Sequence, residues 1–230
     1  IRNNEVTTDD INLATRAFGP DIGAVKGKTT RSKPTPVTNN KIEIPKELIS
    51  VQEDVTLSID GLNVNSLHFL TTISHDIYYR TAQYVQQRTA PIYEKCMEEI
   101  DAIYVDGGFQ IKEIHCDNEF RTSMNSFARK HSRQIKMNYT SAKEHVPRAE
   151  RNNRTIQERI RAPYHCLPYN DLPQIMIKYL VSEAAKKLIS PTAKHGVSKH
   201  YSPRMILHQA NLDYNKHRIF TFREYVLGHD

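Results

Sequence analysis

The chain has 230 residues with 38% hydrophobic and 25% charged, enough for one substantial buried core, and this balance excludes a disordered or membrane-embedded chain. Its net charge of +6 is uneven: residues 121–161 carry eleven Lys/Arg against three Glu, a local +8, whereas residues 43–60 hold five acids and one Lys. No run approaches the roughly 18 apolar residues of a transmembrane helix, and three widely spaced cysteines (Cys96, Cys116, Cys166) form neither a disulfide framework nor a Cys-x-x-Cys zinc site, which fits a reducing compartment.

Residues 1–45 read as a polar, basic leader. A short helix is expected around Asp10–Phe18, followed by an extended linker with Lys26, Lys28, Arg31 and Lys33 and no acid among them. The chain starts with Ile and shows no signal peptide, and so reads as a fragment. The Pro-rich break near residues 34–45 marks the start of a compact domain, 46–230.

Val55–Ile59 alternates apolar residues and ends at Asp60-Gly61; Val64–Ile73 and Tyr78–Val85 are further strand-like runs. An Asp-Gly-Leu-Asn turn at residues 60–63 is expected to join the first two as antiparallel neighbours. Thr89–Tyr104 reads as a helix capped by Thr89, Phe109–Cys116 as a fourth strand, Phe120–His131 as a helix and Gln134–Met137 as a short fifth strand. Gln174–Ile189 forms another helix, and a basic tail with seven Lys/Arg and one Asp spans residues 186–218. Three antiparallel strands, a crossover helix and two further strands make an α/β mixed sheet flanked by helices.

Between the fifth strand and that helix lies the most informative stretch, residues 141–161. Pro147 suits a first helical turn, Ile156 and Ile160 form an apolar stripe, and Pro163 is expected to stop or kink the helix. Glu150, Arg154, Gln157 and Arg161 fall at spacings of four, seven and eleven, on one face. Such a basic block suggests a polyanion partner, with nucleic acid the default; a solvated helix with internal ion pairs is the plain alternative.

Asp60 and Asp117 stand at expected strand ends, where side chains project into a crevice. With Glu150 they make three carboxylates able to hold Mg²⁺, and a pair of such ions supports in-line phosphoryl transfer. Three like charges so close should raise at least one carboxyl pKa. Asp-Gly is also a common turn, Asp117-Asn118 a common strand terminator, and Glu119 competes with Glu150 for the same role. Cys116 reads as core, and His115, His131 and His145 are too scattered for a zinc set.

Four pieces, Ile59–Leu70, Gly107–Gln110 with Ile114–Phe120, Ala142–Arg159 and Tyr201–Arg204, resemble the integrase core of copia-like long-terminal-repeat retrotransposons, in the retroviral integrase and transposase superfamily. Phe18–Pro20 and Lys26–Lys28 resemble the same elements' lead-in. The resemblance implies a ribonuclease-H-like fold and an Asp-Asp-Glu triad, Asp60, Asp117 and Glu150, binding two Mg²⁺ or Mn²⁺ ions. It implies metal-dependent 3′-end processing and strand transfer of element DNA into target DNA, with Arg154 and Gln157 on the DNA ends. Lys143, His145, Arg151 and Arg161 join them as expected phosphate or base contacts. A homo-oligomer acting in the nucleus after a cytoplasmic particle stage is further implied, with no membrane and no small-molecule substrate. Thirty-two residues separate Asp117 from Glu150, against thirty-five in the usual retroviral pattern, so a shorter loop is expected. The His/Cys zinc module and C-terminal DNA-binding domain of full-length integrases do not match any part of the sequence. A decayed element that only binds nucleic acid and an RNA-strand nuclease on the same fold are the competing readings.

Overall fold

The computed structural model describes residues 8–19, 54–131, 134–140, 146–167, 171–198 and 200–208. The expected basic linker, the boundary near residues 34–45, Lys143, His145 and the tail beyond His208 lie outside the described residues. The first helix, α1 (Thr8–Phe18), matches the expected one and starts two residues earlier. From Asp9 onward its residues are exposed.

Five strands form one sheet: β1 (Asp54–Val64), β2 (Leu67–Ser74), β3 (Arg80–Val85), β4 (Gln110–Cys116) and β5 (Lys136–Tyr139), in the order β3-β2-β1-β4-β5. The pairs β1–β2 and β2–β3 are antiparallel, and β1–β4 and β4–β5 are parallel. Helix α2 (Ala90–Asp106) is the crossover between β3 and β4, as a parallel connection requires. A short 3₁₀ turn (Asn118–Phe120) leads into α3 (Arg121–Lys130); α4 (Pro147–Tyr164), α5 (Gln174–Leu188) and α6 (Pro203–His208) follow β5. This strand order and these directions make a ribonuclease-H-like fold.

Alternation along the strands divides the apolar residues between two layers. Leu57, Ile59, Leu70, Ile111 and Ile114 pack against α2 and α3, where Met97, Ile100, Tyr104, Met124 and Phe127 are almost fully buried. Leu62, Leu67 and Phe69 face the other way, onto Ile156 and Ile160 of α4 and Ile177, Leu180 and Val181 of α5.

The expected Asp-Gly turn is corrected. β1 continues through Asp60 and Gly61 to Val64, with Asp60 opposite Thr71 and Gly61 opposite Leu70. The chain reverses instead at Asn65-Ser66, both at positive φ (44° and 65°). Two left-handed residues are what a tight hairpin turn between right-twisted strands needs, and Asn tolerates that conformation better than most side chains. Gly61 serves a close approach: a Cβ there would stand 2.9 Å from Cε1 of the His68 ring. β5 also begins two residues later than expected, and Pro163 sits within the last turn of α4, which ends one residue beyond it.

The segment after α5 wraps back over the α2 layer. Val197 N–H donates to Asp76 O (3.1 Å), Ser202 Oγ accepts from Met205 N–H (3.1 Å), and Ile206 and Leu207 enter the core. Gly107, which ends α2, lies directly under this strap: a Cβ there would meet Leu207 O at 2.5 Å. Gly107→Ala is therefore expected to lower stability by about 1–3 kcal/mol through overpacking. That corresponds to a fall in Tm of roughly 2–10 °C. An unchanged melting curve would mean that the strap does not hold this position in solution.

Candidate active site

β1 and β4 run side by side in parallel, with Ser58 opposite His115. Two residues further along each chain stand Asp60 and Asp117, so their side chains share the sheet face that carries α4. Asp60 is thus mid-strand with respect to β2, yet it lies where the β4 pairing has ended, and this leaves it half-buried and not enclosed. Asp117 follows the last residue of β4. Its Oδ1 accepts a hydrogen bond from Thr140 Oγ1 (2.8 Å), just past β5, and its carbonyl accepts from Phe120 N–H (3.1 Å).

Glu150 is brought in by α4, which three contacts fix to the sheet. At its start, the Arg148 guanidinium donates to His75 O and stacks over the Tyr78 ring (5.2 Å). In its middle, Asn153 Nδ2 donates to Asp60 Oδ2 (2.7 Å) and Gly61 O (3.1 Å), while its Oδ1 accepts from Thr71 Oγ1 (2.5 Å). Further on, buried Ile156 and Ile160 pack on Leu62 and Phe69. Asn153 stands three residues after Glu150, so the bond to Asp60 sets the rotation at which the helix presents Glu150. Sequence reasoning missed Asn153, Thr71 and Thr140. The only signal for Asn153 was its i+3 spacing from Glu150, and an Asn within a polar helix reads as solvated.

The electrostatics mark the corner as a shared one. The Asp60 carboxyl is raised from its ordinary 3.8 to about 6, by burial first and then by the negative charges of Asp117, Glu119 and Glu150; the Gly61 N–H, donating at 2.7 Å, opposes this. Glu119 remains in competition: a Cβ on Gly61 would lie 3.6 Å from its Oε1. Among the described residues, no three His, Cys, Asp or Glu side chains lie close enough to share one ion as they stand. The donor chemistry nevertheless fits a hard divalent cation. The set is all-carboxylate, and a nearby cation would favour the charged form of Asp60, which burial first and the neighbouring acids next disfavour.

The other expected contacts divide by exposure and by the helical wheel. Gln157 is half-buried, and Arg154 and Arg161 are exposed, on the Glu150 side of α4. Arg151 is exposed but stands about a quarter turn round the helix from Glu150. Cys116 is fully buried, its thiol pushed up to about 12 mainly by burial. His115 Nε2 lies 3.2 Å from Glu113 Oε1, and its ring stacks edge-on to that of His75 (5.0 Å); His131 Nε2 lies 4.0 Å from Asp101 Oδ2.

Asp60 makes the stability of the fold depend on pH. Its carboxyl is near 3.8 unfolded and about 6 folded, so between those values the native chain holds a proton that the unfolded chain has lost. The stability this group contributes is full below about pH 4 and is lost as pH rises through about 6. Asp60→Asn abolishes that dependence. In chelator, the variant-minus-parent stability should move in the variant's favour by about 1–2 kcal/mol between about pH 4 and pH 7, allowing for solvent screening of a half-exposed group. Parallel curves of Tm against pH would show that neither burial nor the neighbouring acids raise the Asp60 carboxyl.

No protein-family model matches the sequence, and no curated protein does. Among solved structures, the chain is similar to the catalytic core domain of BIV integrase, with a TM-score of 0.45 and 15% sequence identity, over 67% of this chain and 93% of that one.

Proposed function

We propose that this chain is the catalytic core of a DNA integrase, a polynucleotidyl transferase of copia-like retrotransposon type. The observation that carries the reading is the placement of Asp60 and Asp117 at the ends of the paired stretch of β1 and β4, with α4 docked on Asp60 through Asn153 so that Glu150 enters the same field. Four acids are costly to gather unless a cation or a phosphate chemistry uses them, and the adjoining α4 face is lined by arginines that suit a phosphate backbone.

Asp60, Asp117 and Glu150 hold the divalent ions, Mg²⁺ or Mn²⁺, two per site. When bound, such ions activate an attacking hydroxyl and stabilise the leaving oxygen of a phosphodiester. Asn153 holds Asp60 and Thr140 holds Asp117, so both carboxylates arrive oriented. Arg154, Gln157 and Arg161 steer the DNA end along α4, with Lys143 and His145 contributing from the residues before it. In the first reaction water attacks a phosphodiester near the element's 3′ end and the 3′-hydroxyl is released. In the second, that hydroxyl attacks a target-DNA phosphodiester and joins to it, releasing a target 3′-hydroxyl. The chain acts as a homo-oligomer in the nucleus.

The test is resolution of a branched DNA that mimics the strand-transfer product, with Mn²⁺ and then Mg²⁺, by the parent chain and Glu150→Gln. Metal-dependent resolution lost in the variant is expected. Intact DNA binding with neither metal uptake nor reaction would instead leave a non-catalytic DNA-binding module.

A further inference from the structure

Past the carboxylates, α4 runs on beneath the tip of the β1–β2 hairpin and meets the first turns of α5. A cavity of about 370 Å³ opens between the three. Its floor is aliphatic, from Val64, Ile160, Leu172, Ile177 and Leu180. Its mouth is polar and aromatic: Asn65, Gln157, Arg161, Tyr164 and His165. The Tyr164 and His165 rings stand edge to face, with centroids 6.1 Å apart. A wider hollow between β4, α3 and β5 offers no comparable chemistry, because its Lys112 and Lys136 already pair with Asp54 and Glu113.

The position of the cavity matters as much as its lining. Gln157 and Arg161 follow Glu150 by seven and eleven residues, about 10 and 16 Å along the helix at 1.5 Å per residue. At 3.4 Å per nucleotide of a duplex strand, that is roughly three to five nucleotides from a phosphate held at the carboxylates. Phosphate contacts along α4 require only its exposed arginines and no cavity. An apolar hollow with amides and one guanidinium at its mouth matches something flat, apolar on its faces and polar on its edges. Its size is at the lower end of small-molecule sites. It accommodates one base with part of its sugar, not a base pair still stacked in a duplex.

We propose that this cavity takes one unpaired nucleobase of the DNA strand held at the carboxylates. The faces of the base lie against the aliphatic floor and the Tyr164 ring. Its edge meets the Gln157 and Asn65 amides, which can both donate and accept, and its phosphate meets Arg161. The proposal rests on the DNA reading above and assigns the strand an unpaired end near the reacting phosphate.

The test uses three duplexes: one blunt, one with a five-nucleotide single-stranded overhang, and one with the same overhang made abasic. Binding is measured in chelator at one salt concentration. The base-bearing overhang should bind about tenfold more tightly than the abasic one, the scale of one base stacked on an aromatic side chain. That ratio should fall to about one in Tyr164→Ala and in Leu172→Trp, which plugs the cavity from a half-exposed position. A ratio of one in the parent chain, with the duplexes still bound, overturns the cavity proposal and leaves the DNA reading standing. A tenfold ratio kept in both variants also overturns it, because the base is then held elsewhere. Failure to bind any of the three overturns both.

Discussion

Glu150→Gln and Asp117→Asn each slow metal-dependent resolution of branched DNA by about 10³-fold. A bound divalent ion supplies several kcal/mol of transition-state charge stabilisation, and each 1.36 kcal/mol is worth tenfold in rate. Either substitution keeps the size of the side chain and removes one negative charge, so on the proposed function a divalent ion would be lost or displaced without a packing defect. Glu150 is exposed and Asp117 half-buried, so neither variant should lose more than about 0.5 kcal/mol of stability, which melting curves check directly. Glu119→Gln decides the competition between the two glutamates. If Glu150 is the ligand, Glu119→Gln retains activity within about tenfold, since its effect then comes only through the field on Asp60. Full activity in Glu150→Gln with both metals would remove Glu150 from the site. The same result together with loss in Glu119→Gln would transfer the role to Glu119.

The second large effect is on DNA binding. If Arg151, Arg154, Arg161 and one further Lys or Arg each neutralise a phosphate, log K falls with log salt at a slope of about −3.6. Affinity then drops by about 10²-fold between 50 and 200 mM salt. Arg154→Ala combined with Arg161→Ala should flatten the slope by about two and Arg151→Ala by about one. These arginines are exposed, so their loss leaves the fold intact. A slope unchanged in the double variant would mean that the DNA does not follow this face of α4.

Much of the architecture was legible because it depends on local periodicity. Burial of Ile156 and Ile160 needs only their i, i+4 spacing in a helix, and the strand-helix-strand run from β3 to β4 needs only alternation, a helical stretch and a glycine pair. The grouping of Glu150, Gln157 and Arg161 on one side of α4 follows from helix geometry alone. Asp60-Gly61 was misread because the same dipeptide serves a turn or a close approach. Which of the two applies depends on a ring, His68, that only the β1–β2 pairing brings to it.

The elements, their order and the face on which α4 carries its charges follow from residues within a few positions of one another and so are written in the local sequence. The environment of Asp60 arises only on folding. Its partners Asn153, Asp117 and Glu119 lie 93, 57 and 59 residues away, and no local pattern encodes such pairings. The sheet register sets Asp60 beside Asp117, α4 docks on that register through Asn153, and burial with neighbouring charge then raises the carboxyl to about 6. The cavity beyond Gln157 has the same origin, because its walls come from a hairpin and two helices that meet only when the chain is folded.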